Sequence, residues 1–254
     1  MIKMINMKIT KKSNVGSLVA SDYRLAEVFK KYNIDFCCNG NRTIEDACLQ
    51  GGIDSPELVR ELIAKEVAPD KGAIDYDKWP IDLLADHIEK NHHRYVTEKI
   101  PVIKSYLHRI CKAHGDRHPE LFKITELFDV TAGELAKHMK KEELILFPYI
   151  HHLAMAKDSG YKVNRPSFGS VESPVRMMNH EHDAEGERFR RIAQMCDNYA
   201  VPADGCNTYK VTFALLKEFE EDLHLHIHLE SNILFPKAIE MEKSVAQDYS
   251  NAGL

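Results

Sequence analysis

The chain has 254 residues, a hydrophobic fraction of 44% and a formal net charge of −5 at pH 7. This length suits one large domain or a medium domain with a small one, and the apolar content is sufficient for a buried core. The acidic balance and the lack of a Lys/Arg block exclude a typical nucleic-acid binder. No apolar run reaches the roughly 18 residues of a membrane span, and residues 1–14 lack the apolar core of a signal peptide. We therefore expect a cytoplasmic protein that binds neither nucleic acid nor a membrane.

The first part of the chain predicts a small helical N-terminal domain, residues 1–67. The apolar spacing of Leu25, Val28 and Phe29 predicts one short helix, since these residues share one helical face. Two more short helices are predicted after a loop that is rich in Asn and Gly. Thr43 caps the first of them, with Asp46 as a box-like partner, and Ser55 caps the second.

Residues 68–79 form a polar segment with Pro and Gly, which predicts a linker. Four long stretches of helical spacing follow, and β-type alternation is nearly absent. The stretches lie at roughly 80–113, 118–154, 174–199 and 208–241. They predict an all-α fold in which residues 80–245 form an antiparallel up-down-up-down four-helix bundle. Pro101, Pro148 and Pro236 lie within these patterns, and each should bend its helix or end it nearby.

One phrase occurs in both the second and the fourth stretch, as HMKKEELILFP at 138–148 and HIHLESNILFP at 226–236. Each copy has a His followed four residues later by a Glu, so the two side chains share one helix face. Leu and Ile flank them on that face, which indicates that it points into the bundle. Because a buried ionised Glu costs several kcal/mol unless it is paired or bound to a metal, the phrase predicts a metal site. Its four members are His138, Glu142, His226 and Glu230.

The repeat extends to the helix that precedes each phrase. His93 lies 45 residues before His138 (138 − 93), and His182 lies 44 residues before His226 (226 − 182). Two helical hairpins in tandem would therefore bring four His and two Glu to one level of the bundle. Nitrogen and oxygen donors without thiolate suit iron or manganese, and bridging carboxylates suit a pair of metals. Zinc accepts the same donors but usually takes four ligands, so it gains less from this set.

The other histidines show no such matching. His224 and His228 each lie two residues from His226 and therefore point about 160° away from it, which predicts positions in solvent or outside the ligand shell. The remaining ones are expected on polar faces, at helix ends or near loops: His87, His92, His108, His114, His118, His151, His152 and His180. For His87, His92 and His180, a position beside the ligand residues but outside the ligand shell is the alternative.

Six cysteines are scattered along the chain, a pattern that favours reduced thiols over a disulfide framework. Cys37 and Cys38 are neighbours in the loop NIDFCCNGN, where a bond between them would close a strained ring. A loop thiol beside backbone N–H groups can have a lowered pKa and react. The alternative is that both are small residues which close a tight turn. The other four show no ligand spacing and are expected to be incidental: Cys48, Cys111, Cys196 and Cys206.

The bundle pattern resembles the hemerythrin-like di-iron family. With the segment YNIDFCCNGNRTIEDAC at 32–48, the chain resembles the iron–sulfur cluster repair di-iron proteins, the repair-of-iron-centres family, over roughly residues 14–240. Those proteins place adjacent cysteines in a D-[FY]-C-C-x-G setting before a hemerythrin-like bundle. The resemblance implies two iron ions in an oxo- or hydroxo-bridged centre, with both Glu as bridges. The implied ligands are His93, His138, Glu142, His182, His226 and Glu230. One departure from the family is a longer break between the second and third helices, at about 155–173.

The resemblance also implies a function, which is the repair of iron–sulfur clusters damaged by nitric oxide or oxidative stress, through the supply of iron. Damaged iron–sulfur proteins would then be the clients, and nitric oxide or O₂ would be small ligands. A homodimer is a further partner to consider. Cys37 and Cys38 become candidates for a redox or iron-relay role. Two alternatives stay open, an O₂- or nitric-oxide-binding sensor or carrier and a di-iron nitric oxide reductase.

Overall fold

The computed structural model describes residues 9–68, 74–159 and 166–251. Within these ranges the secondary structure is helical, with a single β-bridge pair between Asn14 and Thr43, so the all-α prediction is confirmed. The chain divides into two compact units. They are Met1–Trp79 with His228–Ile233, and Pro80–Ile227 with Leu234–Leu254. No helix in the described ranges has the length and apolar character needed to cross a bilayer.

The described residues between 9 and 79 in the first unit form four short helices and one 3₁₀ turn. They are α1 (Val15–Ser21), α2 (Leu25–Lys31), α3 (Ile44–Gly51) and α4 (Ser55–Val67), followed by the turn at Tyr76–Lys78. The predicted capping box of α3 is present, because Thr43 and Asp46 each accept the other's backbone N–H. The cap of α4 is Asp54 and not Ser55, which is the first helical residue. Helix α1 was not predicted, since seven residues show too little periodicity.

A close backbone contact positions the cysteine loop within the first unit. The Gly16 N–H donates to the Gly40 carbonyl oxygen at 2.9 Å. A Cβ on Gly40 would lie 2.4 Å from the Phe36 carbonyl oxygen and 2.9 Å from Gly16 Cα, so only glycine fits there. The Asn232 Nδ2 donates to the carbonyl oxygens of Phe36 and Cys37, both at 3.3 Å. The loop that carries the two cysteines is therefore held from both sides.

The second unit contains the long helices. Its α-helical parts are α5 (Ile81–His87), α6 (Arg94–His114), α7 (Glu120–Lys141), α8 (Phe147–Ser159), α9 (Glu172–Met195), α10 (Asn207–Leu229) and α11 (Phe235–Asn251). Short π-helical segments join α5 to α6, α7 to α8 and α10 to α11, and these are Ile88–His93, Glu142–Leu146 and Glu230–Leu234. The joined helices span 81–114, 120–159, 172–195 and 207–251, which confirms the predicted four-helix bundle. Part of the unusually long break, residues 160–165, lies outside the described residues.

Buried aromatic rings hold the bundle helices together. Helix α7 packs against α6 and α9, and α8 packs against α5 and α11. Phe128, Phe189 and Phe219 are at most 1% exposed, and the first two rings lie 5.4 and 5.7 Å from that of Phe219. Burying each such side chain stabilises the fold by roughly 1.5–3 kcal/mol. This core fixes which residues of each helix face inward.

The positions of Pro148 and Pro236 show why each copy of the repeated phrase ends in proline. Pro148 and Pro236 are each the second residue of the α-helix that follows a π-helical segment. A proline has no N–H for the carbonyl four residues earlier, and a π-helical segment accommodates this by locally changing the hydrogen-bonding register. Pro101 is different, because α6 continues through it without a break. Of the two expected effects of a proline, ending the helix nearby does not occur at Pro101, and a bend there stays a prediction.

Candidate metal centre

Each of the three π-helical segments carries one residue of the predicted site. His93 is the last residue of the first segment, and Glu142 and Glu230 are the first residues of the other two. Such one-turn insertions are rare in helices and occur frequently at functional sites. The repeated phrase thus encodes a local backbone change as well as two ligand-type side chains.

The six predicted residues are all buried, with exposures of 2% or less, and they come together in two groups. The first group is His93, Glu142, His226 and Glu230, and the second is His138, Glu142, His182 and Glu230. Within each group the potential ligand atoms lie within 4.8 Å of one another. Both carboxylates belong to both groups, so two pairs of imidazoles share two acids.

The distances show how closely the donor atoms converge. Glu142 Oε2 lies 3.4 Å from His93 Nε2 and 3.3 Å from His138 Nε2. The Nε2 atoms of His138 and His182 are 3.1 Å apart. Two nitrogens that each bind a cation at about 2.0–2.1 Å are separated by about 3 Å. The spacing of these side chains is therefore that of donors which face a common cation.

The donor set fits a pair of metal ions. Glu142 and Glu230 are 0% exposed, and two ionised carboxylates at this depth are expensive without nearby cations. Four imidazoles and two shared carboxylates, with no thiolate, match the chemistry of iron or manganese. The buried acids therefore fit a site that holds positive charge beside them.

Two further acids contact the far side of the imidazoles. His138 Nδ1 lies 2.8 Å from Glu181 Oε2, and His93 Nδ1 lies 3.2 Å from Glu143 Oε1. The hydrogen bond from His138 lowers the pKa of Glu181 to about 2, although burial opposes the shift. A carboxylate in this position fixes the tautomer of a ligand imidazole and raises its basicity. Neither acid was predicted from the sequence, where their only signal is adjacency to Glu142 and His182.

His92 also differs from its expected place on a polar helix face. It is 4% exposed, and its ring stacks on that of His226 with centroids 5.6 Å apart. Its Nδ1 lies 2.9 Å from Asp222 Oδ1. The favoured expectation of a polar face is wrong, because the π-helical segment turns His92 and His93 together toward the bundle interior. The alternative, a position beside the ligand residues, agrees with the contact to His226.

We expect Glu181→Gln to weaken metal binding. The amide keeps the size of the side chain but removes the charge that orients His138 and makes it more basic, and such changes typically cost 10–100-fold in metal affinity. Competition with a chelator of known affinity measures the effect. Glu187→Gln is the matched control, since Glu187 lies on the same helix, is 59% exposed and pairs with Arg190. Equal affinities for the two variants would contradict the expectation.

The two neighbouring cysteines lie in the first unit, where Cys37 is buried and Cys38 is half-buried. Their sulfurs are 3.7 Å apart. Asp35 Oδ1 accepts the backbone N–H groups of both residues, at 3.1 and 3.0 Å. The contact with the Cys38 thiol, together with burial, raises the pKa of Cys37. The expected lowering of a loop-thiol pKa is therefore wrong for Cys37, because the contact with a second thiol and the burial both disfavour the thiolate.

His228 is not exposed to solvent. It is 1% exposed and lies in the first unit, with ring centroids 5.6 Å from Tyr23 and 5.9 Å from Phe36. Its Nδ1 is 3.0 Å from the Asn232 Nδ2, which donates to it. Burial lowers the pKa of His228 to about 3, so the ring is neutral at neutral pH. Helical geometry turned it away from His226 as expected, but residues of the N-terminal segment cover that face.

We expect His228→Ala to keep its full metal content while losing stability. The ring belongs to neither group of ligand-type residues, but its loss leaves a cavity, which typically costs about 2–4 kcal/mol for a large side chain. Elemental analysis and denaturant unfolding measure the two effects, and His152→Ala, at an exposed position, is the control. Metal loss in a folded His228→Ala protein would assign the ring a role in binding.

The bundle places two pairs of imidazoles around two shared carboxylates. This arrangement is that of a cation-binding protein of the hemerythrin type. Residues 84–238 match the family described as Hemerythrin HHE cation binding domain, and residues 11–66 match a Domain of Unknown function (DUF542). The chain belongs to the family of iron–sulfur cluster repair proteins with a hemerythrin-like domain.

Three relatives illustrate this membership, and each is named Iron-sulfur cluster repair protein YtfE. The protein of Musicola paradisiaca is 28% identical over 232 residues, which cover 91% of this chain and 98% of the relative. That of Yersinia pseudotuberculosis is 30% identical over 229 residues, covering 90% and 97%. That of an Enterobacter species is 32% identical over 228 residues, covering 89% and 96%. The similarity therefore includes both the cysteine loop and the bundle.

Proposed function

We propose that the six-residue centre holds two iron ions and that the protein repairs damaged iron–sulfur clusters by supplying this iron. The observation that carries the proposal is the sharing of Glu142 and Glu230 between two imidazole pairs. The names of the relatives support it, since they describe cluster repair in proteins that align with nearly the whole chain. The ligands would be His93, His138, Glu142, His182, His226 and Glu230, with each Glu as a bridge.

The donor chemistry supports delivery of iron and not only its storage. Iron(II) lies low in the affinity order for nitrogen and oxygen sites, whereas damaged clusters offer cysteine thiolates, which bind iron strongly. Transfer of iron from imidazole and carboxylate ligands to the thiolates of a damaged cluster is therefore favourable. A cleft at His138 and His182 is also lined by Glu134, Glu181 and Glu185. Each of these carboxylates forms an ion pair, with Lys137, Lys141 and Arg188 respectively, so the lining has no excess of negative charge.

The cysteine pair supports a second step in the same proposal. Asp35, Cys37 and Cys38 bring an oxygen and two sulfurs within 4.8 Å of one another. A bound cation deprotonates coordinating thiols, so iron would reverse the raised pKa of Cys37. We assign the pair a relay role, in which it receives iron on its way to a client. The Cys37→Ser/Cys38→Ser protein should keep its two irons but donate them more slowly.

The test mixes iron-loaded protein, without oxygen, with a dehydratase whose cluster has been damaged by nitric oxide or peroxide. A chelator that captures free iron is present throughout. We expect dehydratase activity to return with the iron-loaded protein and not with the same amount of ferrous salt. The metal-free protein is the control for a chaperone effect. Recovery no greater than with free iron would refute the supply of iron.

Two measurements separate this proposal from the alternatives. A stable, reversible adduct on mixing the reduced protein with O₂ would support a carrier or sensor. Repeated anaerobic turnover of nitric oxide with nitrous oxide as product would support a reductase. Under the proposed function we expect irreversible oxidation in the first experiment and at most one turnover in the second.

A further inference from the structure

A second cluster of reactive groups lies at one end of the bundle. Cys206 directly precedes α10, and His114 is the last residue of α6. His114 Nε2 lies 3.2 Å from Cys206 Sγ. His226 follows Cys206 by 20 residues of chain (226 − 206), which is about 30 Å along a helix. The pair is therefore separate from the metal centre, and the sequence analysis had regarded both residues as incidental.

The two members of the pair differ in their access to solvent. The Cys206 thiol is exposed, whereas His114 is only 7% exposed. Among the described residues, the Nδ1 of His114 has no hydrogen-bond partner. The ring is held by an edge-to-face contact with Tyr209, at a centroid distance of 5.3 Å. A buried imidazole is thus aimed at a sulfur that solutes can reach.

The start of α10 favours the thiolate form of Cys206. The backbone N–H groups of Tyr209 and Thr208, in that order, lower the pKa of the Cys206 thiol. Gly205 makes the preceding turn possible, since a Cβ there would lie 2.5 Å from Val201 Cγ1 and 2.9 Å from the Pro202 carbonyl oxygen. The sulfur is therefore placed at the positive end of the helix dipole, where anions are stabilised.

The nearby charges neutralise one another and leave the thiolate facing His114. Asp204 lies 2.9 Å from Arg117 Nη1 and 2.9 Å from His118 Nε2. His118 Nδ1 also lies 3.1 Å from Glu120. The titratable and charged groups near the pair are Cys111, Lys112, Asp116, Arg117, His118, Glu120, Cys196, Asp204, Tyr209 and Lys210. The carboxylate nearest in sequence, Asp204, is thus paired with cations and does not oppose a negative sulfur.

We propose that Cys206 and His114 form a site of reversible thiol modification that takes low-molecular-weight disulfides such as glutathione disulfide. His114 takes the proton from the Cys206 thiol, and the thiolate attacks one sulfur of the disulfide. The S–S bond of the reagent breaks as the mixed disulfide forms. The other half leaves as a thiolate, which takes up the proton from His114. Atoms and electrons balance, with the small disulfide as the oxidant.

Glutathione disulfide and the whole iron-loaded protein test this proposal. We expect one adduct, located at Cys206 by peptide mapping, which dithiothreitol removes. The rate should rise with pH to a midpoint below about 8.5, the usual value for a thiol. Modification should leave the iron content unchanged, since the ligands lie far away. Preferential reaction at another cysteine, or a midpoint at or above 8.5, would overturn the proposal.

Variants separate the role of His114 from simple exposure of the thiol. Because only the thiolate attacks, His114→Gln should slow the reaction about tenfold at pH 7 and raise its pH midpoint. His108→Gln is the control, since that residue lies on the same helix as His114 at an exposed position, and it should leave the rate nearly unchanged. Cys206→Ser should form no adduct. Equal rates for the wild type and a folded His114→Gln protein would refute activation by the imidazole. If this variant does not fold, the pH profile of the wild-type reaction still decides the question.

Discussion

Replacement of Glu142 by leucine is expected to reduce the iron content of the purified protein to less than half. Glu142 Oε2 lies between His93 Nε2 and His138 Nε2, so a single substitution removes an anion from both proposed metal positions. Two cations held by four neutral imidazoles and one remaining acid would repel each other, because only one negative charge would be left between them. Glu230→Leu should have the same effect, because that carboxylate also belongs to both groups. Elemental analysis of freshly isolated protein measures the loss.

The stability of the metal-free variants distinguishes lost ligands from lost folding. Replacing a buried charged group by an apolar one of similar size is often neutral or stabilising. Metal-free Glu142→Leu should therefore unfold at the same temperature as the metal-free wild type, or higher. Glu126→Leu, at a site 63% exposed on the same helix, controls for the added apolar surface. A Glu142→Leu protein that retains two irons would refute the bridging role.

Removal of the metal from the wild-type protein is expected to lower its melting temperature by about 10 °C. A ligand present at 1,000 times its dissociation constant stabilises the folded state by about 4.1 kcal/mol. For chains of 150–250 residues each kcal/mol corresponds to roughly 2–4 °C. The stripped protein must also keep two carboxylates and four imidazoles buried together without the cations. Thermal unfolding of the iron-loaded and chelator-treated protein gives the difference.

The double variant Glu142→Leu/Glu230→Leu provides the control for this measurement. It lacks both shared acids, so chelator treatment should change its melting temperature by little. Iron added back to the stripped wild type should restore the original value. Equal melting temperatures for the loaded and stripped wild type would show that the six residues do not bind metal tightly.

Local periodicity was sufficient to predict the bundle and the residues that meet in it. A His and a Glu four residues apart share a helical face whatever the rest of the chain does, and His138 with Glu142 illustrates this. The offsets to His93 and His182 extended the set to six. Glu143 and Glu181 escaped detection, because an acid beside a ligand-type residue is also what a solvated helix surface contains. Only their distances to the imidazole Nδ1 atoms distinguish the two situations.

Burial is the property for which local reasoning failed most clearly. His92 and His228 were expected on outer faces, and both are at most 4% exposed. A π-helical segment shifts the first toward the interior, and Tyr23 and Phe36 cover the second. The pKa of Cys37 is raised because its thiol contacts that of Cys38 and is buried. A neighbour remote in sequence, an inserted helical residue or burial of a loop therefore decided each of these environments.

The amino-acid sequence by itself determined the helical architecture and which six ligand-type side chains meet in the bundle, because helix formation, the alignment of residues four apart and the repeated spacing can all be read along the chain. Only the tertiary structure decided that His93 pairs with His226 and His138 with His182, and that both acids are common to the two pairs. It alone also brought His114 to Cys206 across 92 residues of chain. These relations depend on how the helices pack against one another, and packing depends on the shapes of many side chains at once, which no short pattern encodes.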